Sequence, residues 1–126
     1  MPGLIARYTK WLHTRWPAGT VEPLPEARPD GGTNVPGAMI AGDLTGIPLL
    51  KFSLDSGARV AGKVAGAGGA GDAGPLDLAI LGAGVSGMAA AAEARKLGLR
   101  FEILEATEPF STLVNFPKAK PIYTYP

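Results

Sequence analysis

Three glycines at residues 82, 84 and 87 have the spacing of a phosphate-binding loop. The stretch GAGVSG places Gly82, Gly84 and Gly87 in the pattern G-x-G-x-x-G. In such a loop the first glycine permits a tight turn, and the second lets the backbone approach a pyrophosphate. The third lets the following helix pack closely on the preceding strand. Because a helix N-terminus also attracts phosphate, Val85 and Ser86 are predicted with the glycines as cofactor-binding residues.

The chain around this loop has the pattern of a strand, a helix and a second strand. The run LDLAIL (76–81) is apolar, the stretch from residue 85 onward is rich in alanine, and RFEILE (100–105) is a second strand candidate. Gly98 is expected to end the helix. Ala91 and Ala94 follow Gly87 at i+4 and i+7 and extend its close-packing face. The sequence therefore predicts an α/β fold with a Rossmann-type βαβ dinucleotide-binding unit.

An acidic residue ends the second predicted strand. Glu105 lies 18 residues after Gly87, close to the spacing of about 20 at which an acid hydrogen-bonds the ribose of a dinucleotide. A carboxylate there accepts from both ribose hydroxyls and favours a ribose without a phosphate. The alternative is a glycine-rich turn beside a solvated strand-end glutamate. Nucleotide binding is favoured because five features occur together in the expected order: the strand, the glycines, the helix, Gly98 and Glu105.

Composition excludes several other kinds of site within this chain. Without cysteine there is no disulfide, thiolate metal site or cysteine nucleophile, and His13 alone cannot form a multi-histidine cluster. Twelve basic against eleven acidic residues leave a formal net charge of +1, which gives no case for a nucleic-acid partner. The most apolar run, 79–92, contains three glycines and is too short to span a membrane. We expect a cytoplasmic protein.

A short helix is predicted over residues 2–13, ended by Pro17. Its three- and four-residue spacing aligns one apolar stripe: Leu4, Ile5, Tyr8, Trp11 and Leu12. We expect this stripe to lie in a core or at an interface rather than on lipid, since only Arg7, Lys10 and Arg15 accompany it. His13 is expected to be a surface residue without a catalytic role, because no acid is near it in sequence.

A second polar position, Asp43, follows a short apolar run. We predict a strand over AMIA (38–41), then Gly42 and Asp43, then a helix over 48–65. Residues 17–37 are expected to form an irregular connector, 65–75 a flexible Gly/Ala linker, and 109–126 an irregular tail. Three segments result: 1–64, 65–75 and 76–126. By itself Asp43 has two interpretations, a binding residue or a turn or helix-capping residue.

The stretch DLAILGAGVSGMAAAAEARKLGLRFEILEA closely resembles the FAD-binding fingerprint of the two-dinucleotide-binding-domain flavoproteins, nearest to their thioredoxin reductase-like branch. VNFPK (114–118) is similar to a loop that lies near the flavin in that family. The resemblance covers residues 76–117. It implies FAD as cofactor, with Gly82, Gly84 and Gly87 on the pyrophosphate and Glu105 on the adenosine ribose.

The same family has an element that resembles residues 34–65, NVPGAMIAGDLTGIPLLKFSLDSGARVAGKVA. There the Asp of a Gly-Asp pair hydrogen-bonds the ribityl chain of the flavin, which implies this role for Asp43. In the family this element follows the glycine fingerprint, whereas here it precedes it. Either the linker joins two halves of one FAD site, or the N-terminal element is a vestige of a fused relative.

Other features depart from the family. A second glycine fingerprint for NAD(P)H, a possible electron donor, is missing, as is a redox cysteine pair, and Ala106 replaces a frequent basic residue. Further parallel strands are needed, so we expect a truncated chain that a further domain or chain completes. The predicted function is an FAD-dependent oxidoreductase or its FAD-binding portion, with no catalytic residue assigned. The alternatives are an NAD(P)- or adenine-nucleotide-binding module without flavin, and a non-catalytic remnant.

Overall fold

The computed structural model describes residues 3–15, 26–69 and 74–123, without the side chains of 13–15. The elements in chain order are α1 (Leu4–Arg15), a 3₁₀ turn (Gly42–Thr45), α2 (Leu50–Gly66), β1 (Leu78–Leu81), α3 (Val85–Lys96), β2 (Phe101–Leu104) and α4 (Ser111–Val114). The expected helix end at Pro17, the side chain of His13, and parts of the connector, linker and tail lie outside the described residues.

Strands β1 and β2 form a parallel pair, which α3 connects. Their register places Leu78 opposite Phe101 and Leu81 opposite Leu104. Parallel neighbours need a crossover connection, and the alanine-rich helix provides it. The predicted α/β class with an incomplete Rossmann-type βαβ unit is confirmed.

A small apolar core lies between α3 and one face of this sheet. Ala90, Ala91 and Ala94 of α3 are buried with Ile80 of β1 and Ala61 of α2. The prediction that Ala91 and Ala94 extend the close-packing face is confirmed. Because side chains alternate along a strand, the opposite face of the sheet presents Leu81 and Leu104, which are 80% and 52% exposed.

Helix α3 ends where the sequence predicts. Gly98 has φ +73°, a conformation that glycine adopts without steric cost. Its N–H donates to the carbonyl of Arg95 at 3.2 Å, and the Leu99 N–H donates to Ala94 at 2.9 Å. These two bonds form a Schellman motif, which turns the chain into β2.

An ion pair fixes the beginnings of the two strands relative to each other. Asp77, whose side chain is 10% exposed, accepts from the Arg100 backbone N–H at 2.8 Å and from the guanidinium group at 3.0 Å. The Asp77 N–H in turn donates to the Arg100 carbonyl at 2.8 Å. The carboxylate also raises the pKa of Arg100, mainly through the side-chain hydrogen bond.

Helix α2 packs side by side with α3, and α2 begins two residues later than predicted. The buried face of α2 consists mostly of small residues: Ser53, Ser56, Gly57, Val60 and Ala61. The larger Phe52 is 37% exposed. A β-carbon at Gly57 would overlap the Ser86 carbonyl oxygen and lie 2.9 Å from its carbonyl carbon.

In two segments the observed conformation differs from the one predicted from the sequence. The apolar run 38–41 forms a single antiparallel bridge, Gly32 to Met39, rather than a strand, since no longer neighbouring segment continues the ladder there. In the tail, residues 111–114 form the short helix α4 instead of irregular chain. It begins at Phe110, whose N–H donates to the Ala83 carbonyl at 2.9 Å.

Helix α1 does not bury its apolar stripe among the described residues. Leu4 and Ile5 are 83% and 80% exposed, Tyr8 is 59% and Trp11 45% exposed. No other described element packs extensively against α1. Of the two expected positions, a core or an interface, the exposure contradicts the core, and the interface stays a prediction, because amphipathic spacing predicts a binding face without specifying its partner. Among the described residues, no helix combines the length and hydropathy that crossing a bilayer requires.

Candidate functional site

The glycine loop lies between β1 and α3, where the first glycine extends the sheet and turns the chain. The Gly82 N–H donates to the Leu104 carbonyl at 2.8 Å, which continues the parallel ladder by one bond. Its φ of +99° lies in a region that side chains with a β-carbon rarely adopt. Gly82 therefore determines the conformation of the loop.

The other two glycines have opposite surroundings. A β-carbon at Gly87 would overlap the Gly82 carbonyl oxygen and lie 3.3 Å from Cγ2 of Ile80. A β-carbon at Gly84 would meet nothing within 4 Å, and its φ of −73° suits any residue. Gly87 thus permits helix–strand packing, whereas the side of Gly84 is open to an approaching group.

The loop leads directly into the N-terminus of α3. Gly84 is its N-cap and makes no side-chain cap bond, and the first intrahelical bond runs from the Met88 N–H to the Gly84 carbonyl at 2.9 Å. The first N–H groups of a helix, here those of Val85, Ser86 and Gly87, have no intrahelical acceptor. Together with the helix dipole they form an environment that favours an anion.

Glu105 lies immediately beside this loop. One carboxylate oxygen accepts from the Ala83 N–H at 2.6 Å, and the other accepts from the N–H and hydroxyl of Thr107 at 3.0 and 3.3 Å. These donors, the Ala83 N–H foremost, lower the pKa of Glu105. The strand-end acid is therefore held in its ionised form next to the second residue of the fingerprint.

Two buried serines of α2 hold the Gly-Asp turn. Ser56 Oγ accepts from the Gly42 N–H at 2.9 Å and donates to the Ser53 carbonyl at 3.1 Å. Ser53 Oγ donates to the Asp43 carboxylate at 3.0 Å. Neither serine is among the site residues predicted from the sequence. Their i, i+3 spacing, followed by Gly57, is the signal that was available.

The turn contacts the beginning of α3. A β-carbon at Gly42 would lie 2.6 Å from Ser86 Oγ and 3.1 Å from its Cβ. The structure therefore places Gly42, the neighbour of Asp43, directly against a residue of the glycine fingerprint. The N-cap positions of the turn and of α2 are Ala41 and Leu49, and neither makes a side-chain cap bond.

Asp43 also lines a cavity of about 240 Å³. The opposite wall comes from the segment after α4 and includes Phe116, Lys120 and Tyr123. The Lys120 ammonium lies 3.8 Å from the centre of the Phe116 ring, a cation–π distance. The VNFPK stretch is thus brought to the same cavity as Asp43. A larger cavity of about 450 Å³, between residues 27–31 and α2, contains none of the predicted cofactor-binding residues.

The parallel βαβ unit, its glycine loop and the acid at the end of β2 define a Rossmann-type dinucleotide-binding unit. A protein-family model described as an NAD(P)-binding Rossmann-like domain matches residues 80–118. No curated protein and no solved structure matches the chain. Within the described residues, no three or more His, Cys, Asp or Glu side chains form a group that could hold a metal ion.

Proposed function

We propose that this chain binds FAD and is the FAD-binding portion of an oxidoreductase. The glycine loop would hold the pyrophosphate, Glu105 the adenosine ribose and Asp43 the ribityl chain. The contact between Gly42 and Ser86 is the main support, because it brings the Gly-Asp turn to the helix that follows the fingerprint. Two elements far apart in sequence thereby lie close enough to serve one extended ligand.

Local chemistry supports each assigned role. The open side of Gly84 lets a pyrophosphate approach the first N–H groups of α3. Glu105 is ionised and accepts hydrogen bonds, as contact with ribose hydroxyls requires. Asp43 is oriented by Ser53 and lines a cavity with an aromatic wall at Phe116. Carboxylate, helix terminus and aromatic ring are the groups that sugar-alcohol, phosphate and planar ring portions of FAD prefer.

When bound, the flavin supplies the hydride or electron transfer. The chain itself binds and orients the cofactor, and we assign no side chain as a catalytic acid, base or nucleophile. NAD(P)H is the proposed electron donor, bound by a further domain or chain.

A second candidate function is binding of NAD(P) or another adenine nucleotide without flavin. The NAD(P)-binding description of the matching family model favours it. The two candidates differ at Asp43, since only FAD has a ribityl chain for it to contact. Both rely equally on the glycine loop and Glu105.

The visible spectrum distinguishes them. The purified chain is incubated with FAD, freed of unbound cofactor and scanned for flavin absorbance, and affinities for FAD and ADP are measured by titration calorimetry. The variants are Gly84→Val and Asp43→Ala. Asp55→Ala is the control, because Asp55 is an exposed α2 acid paired with Arg59 and its loss changes the charge equally.

If FAD is the ligand, flavin absorbance is retained and Gly84→Val abolishes it. Asp43→Ala weakens FAD affinity about ten- to a hundredfold, the loss expected for one hydrogen bond to a charged group, while Asp55→Ala has no effect. ADP binding without retained flavin absorbance establishes the second candidate. Retained flavin absorbance with equal FAD affinity for Asp43→Ala and the parent chain contradicts only the ribityl role of Asp43. A folded chain that binds neither FAD, NAD nor ADP contradicts both and leaves a non-catalytic remnant.

A further inference from the structure

The larger cavity, of about 450 Å³, lies between residues 27–31 and helix α2. Its volume is within the range of about 300–1,000 Å³ that is typical of small-molecule sites. None of the residues assigned to the cofactor lines it. A ligand in this cavity would therefore be bound independently of the proposed FAD.

One face of helix α2 forms a wall of this cavity and carries both apolar and charged groups. Its residues recur at i, i+3, i+4, i+7 and i+8, which is the spacing of a single helix face: Phe52, Asp55, Ser56, Arg59 and Val60. Phe52 and Val60 supply an aromatic and an aliphatic surface. Asp55 and Arg59 supply a negative and a positive charge. The wall therefore suits a ligand that combines an apolar body with charged groups.

The other wall is a turn that its own hydrogen bonds hold in shape. The Gly31 N–H donates to the Arg28 carbonyl at 2.9 Å, and the Arg28 N–H donates to the Gly32 carbonyl at 3.0 Å. A β-carbon at Gly31 would lie 2.8 Å from Cγ2 of Val60, so the turn packs directly against α2. Both walls are therefore formed by the fold itself.

The charges at this cavity balance one another. Three ion pairs each have at least one member that lines it: Arg59 with Asp55, Arg28 with Glu26, and Lys63 with Asp30. All six side chains are about half exposed or more, and exposed ion pairs contribute so little that their members exchange partners readily. A ligand of one charge would meet attraction and repulsion of similar size, whereas a ligand that carries both charges meets a partner for each.

From the apolar surface of Phe52 and the charge pair beside it, we propose that this cavity binds a small zwitterion with an apolar body, the chemistry of an apolar α-amino acid. The ligand carboxylate accepts from the guanidinium group of Arg59, which has five N–H donors and contacts Asp55 at 3.3 Å through one terminal nitrogen. The ligand ammonium donates to the Asp55 carboxylate. The apolar body lies along Phe52 and is removed from water there.

Titration of the full chain, followed through the NMR signals of its backbone amides, tests this binding. Three probes share a phenyl body and differ in charge at neutral pH: L-phenylalanine carries both charges, phenylpropanoate only the carboxylate and phenethylamine only the ammonium. The variants are Arg59→Gln and Asp55→Asn. Their controls are Arg95→Gln and Glu108→Gln, which remove the same charges from exposed residues outside the cavity. The amide spectrum of each variant checks that it is folded.

We expect L-phenylalanine to shift the amides of residues 27–31 and of α2, and to bind about tenfold more tightly than either singly charged probe. That factor is what one hydrogen bond to a charged group is worth at an exposed site. Arg59→Gln should weaken L-phenylalanine binding about tenfold without weakening phenethylamine binding. Asp55→Asn should have the same effect on L-phenylalanine without weakening phenylpropanoate binding. The two controls should leave all three affinities unchanged.

Absence of L-phenylalanine binding overturns the proposal. Equal affinity for L-phenylalanine and phenylpropanoate also overturns it and identifies a site for simple carboxylates instead. Equal weakening by Arg59→Gln and Arg95→Gln overturns it as well, because the attraction would then come from the net charge of the chain rather than from this cavity.

Discussion

Gly57 of α2 and Ser86 of α3 approach so closely that a β-carbon on Gly57 would lie 2.9 Å from the carbonyl carbon of Ser86 and 3.1 Å from its Cα. This contact is between backbones, and it sets the separation of the two helices. Because α2 follows the Gly-Asp turn and α3 follows the glycine loop, the same contact determines how near those two turns lie. A change in the separation of α2 and α3 would therefore also change the distance between the Gly-Asp turn and the glycine loop.

Substitution of Gly57 should therefore disturb the fold more than substitution of another glycine in α2. Gly57→Ala forces the helices apart, and we expect a loss of about 1–3 kcal/mol, as for overpacked cores. Gly62→Ala is the matched control, since a β-carbon there meets nothing within 4 Å. Better helix propensity should stabilise that variant by about 0.5–1 kcal/mol. Urea unfolding measures both, and equal effects would show that the Gly57 contact does not limit helix approach.

The last two fingerprint glycines should separate folding from binding. Gly87→Ala places a methyl group against the Gly82 carbonyl, and we expect a lower melting temperature. Gly84→Ala leaves the melting temperature unchanged, because its methyl group enters open space, but it weakens nucleotide binding by obstructing the approach of phosphate. Thermal unfolding with and without nucleotide checks this. A reversed order of the two melting temperatures would contradict the assigned packing.

Loss of the two α2 serines should have unequal costs. Ser56→Ala removes the acceptor of the buried Gly42 N–H, and leaving a buried donor unpaired costs about 1–3 kcal/mol. Ser53→Ala removes a donor to Asp43, which is exposed and regains its hydrogen bond from water, so its cost should be about 0.5–1.5 kcal/mol. Chemical denaturation of the two variants measures the difference. FAD affinity should fall for Ser53→Ala if Asp43 must be oriented.

Acid should weaken the loop through Glu105. Its pKa is lowered from 4.5 in the folded chain, mainly by the Ala83 N–H, so folding favours the ionised form. This contribution to stability is complete above the ordinary pKa and is lost as the pH falls through the lower folded-state value. Carbon-detected NMR titration should give a Glu105 pKa below 4.5 and a parallel shift of the Ala83 amide. In Glu105→Gln the Ala83 amide should no longer respond.

The βαβ unit was predictable because its signals are local. Gly82, Gly87 and Gly98 each occupy a position where the backbone or a close contact requires glycine, and apolar runs flank them at the spacing of one unit. Local patterns also identified Glu105 at the end of β2. These residues determine their own surroundings within a few positions in sequence, so spacing alone was informative.

Long-range pairings were not predictable in the same way. A strand over residues 38–41 requires a neighbour along its length, and Gly32 alone provides one bridge. The stripe of α1 shows that a face exists without showing what covers it. Ser53 and Ser56 became recognisable only when the Gly-Asp turn was seen to fold back on α2.

The small-residue face of α2 has a consequence during synthesis. The ribosome completes α2 before it makes α3. The face of α2 that contacts α3 is therefore exposed until α3 has been synthesised. Surfaces of nascent chains that await a partner are a source of aggregation when they are large and apolar. Here the waiting surface consists of Ser53, Ser56, Gly57, Val60 and Ala61, which exposes little hydrocarbon. The face of α2 that later contacts α3 therefore adds little apolar surface to the emerging chain.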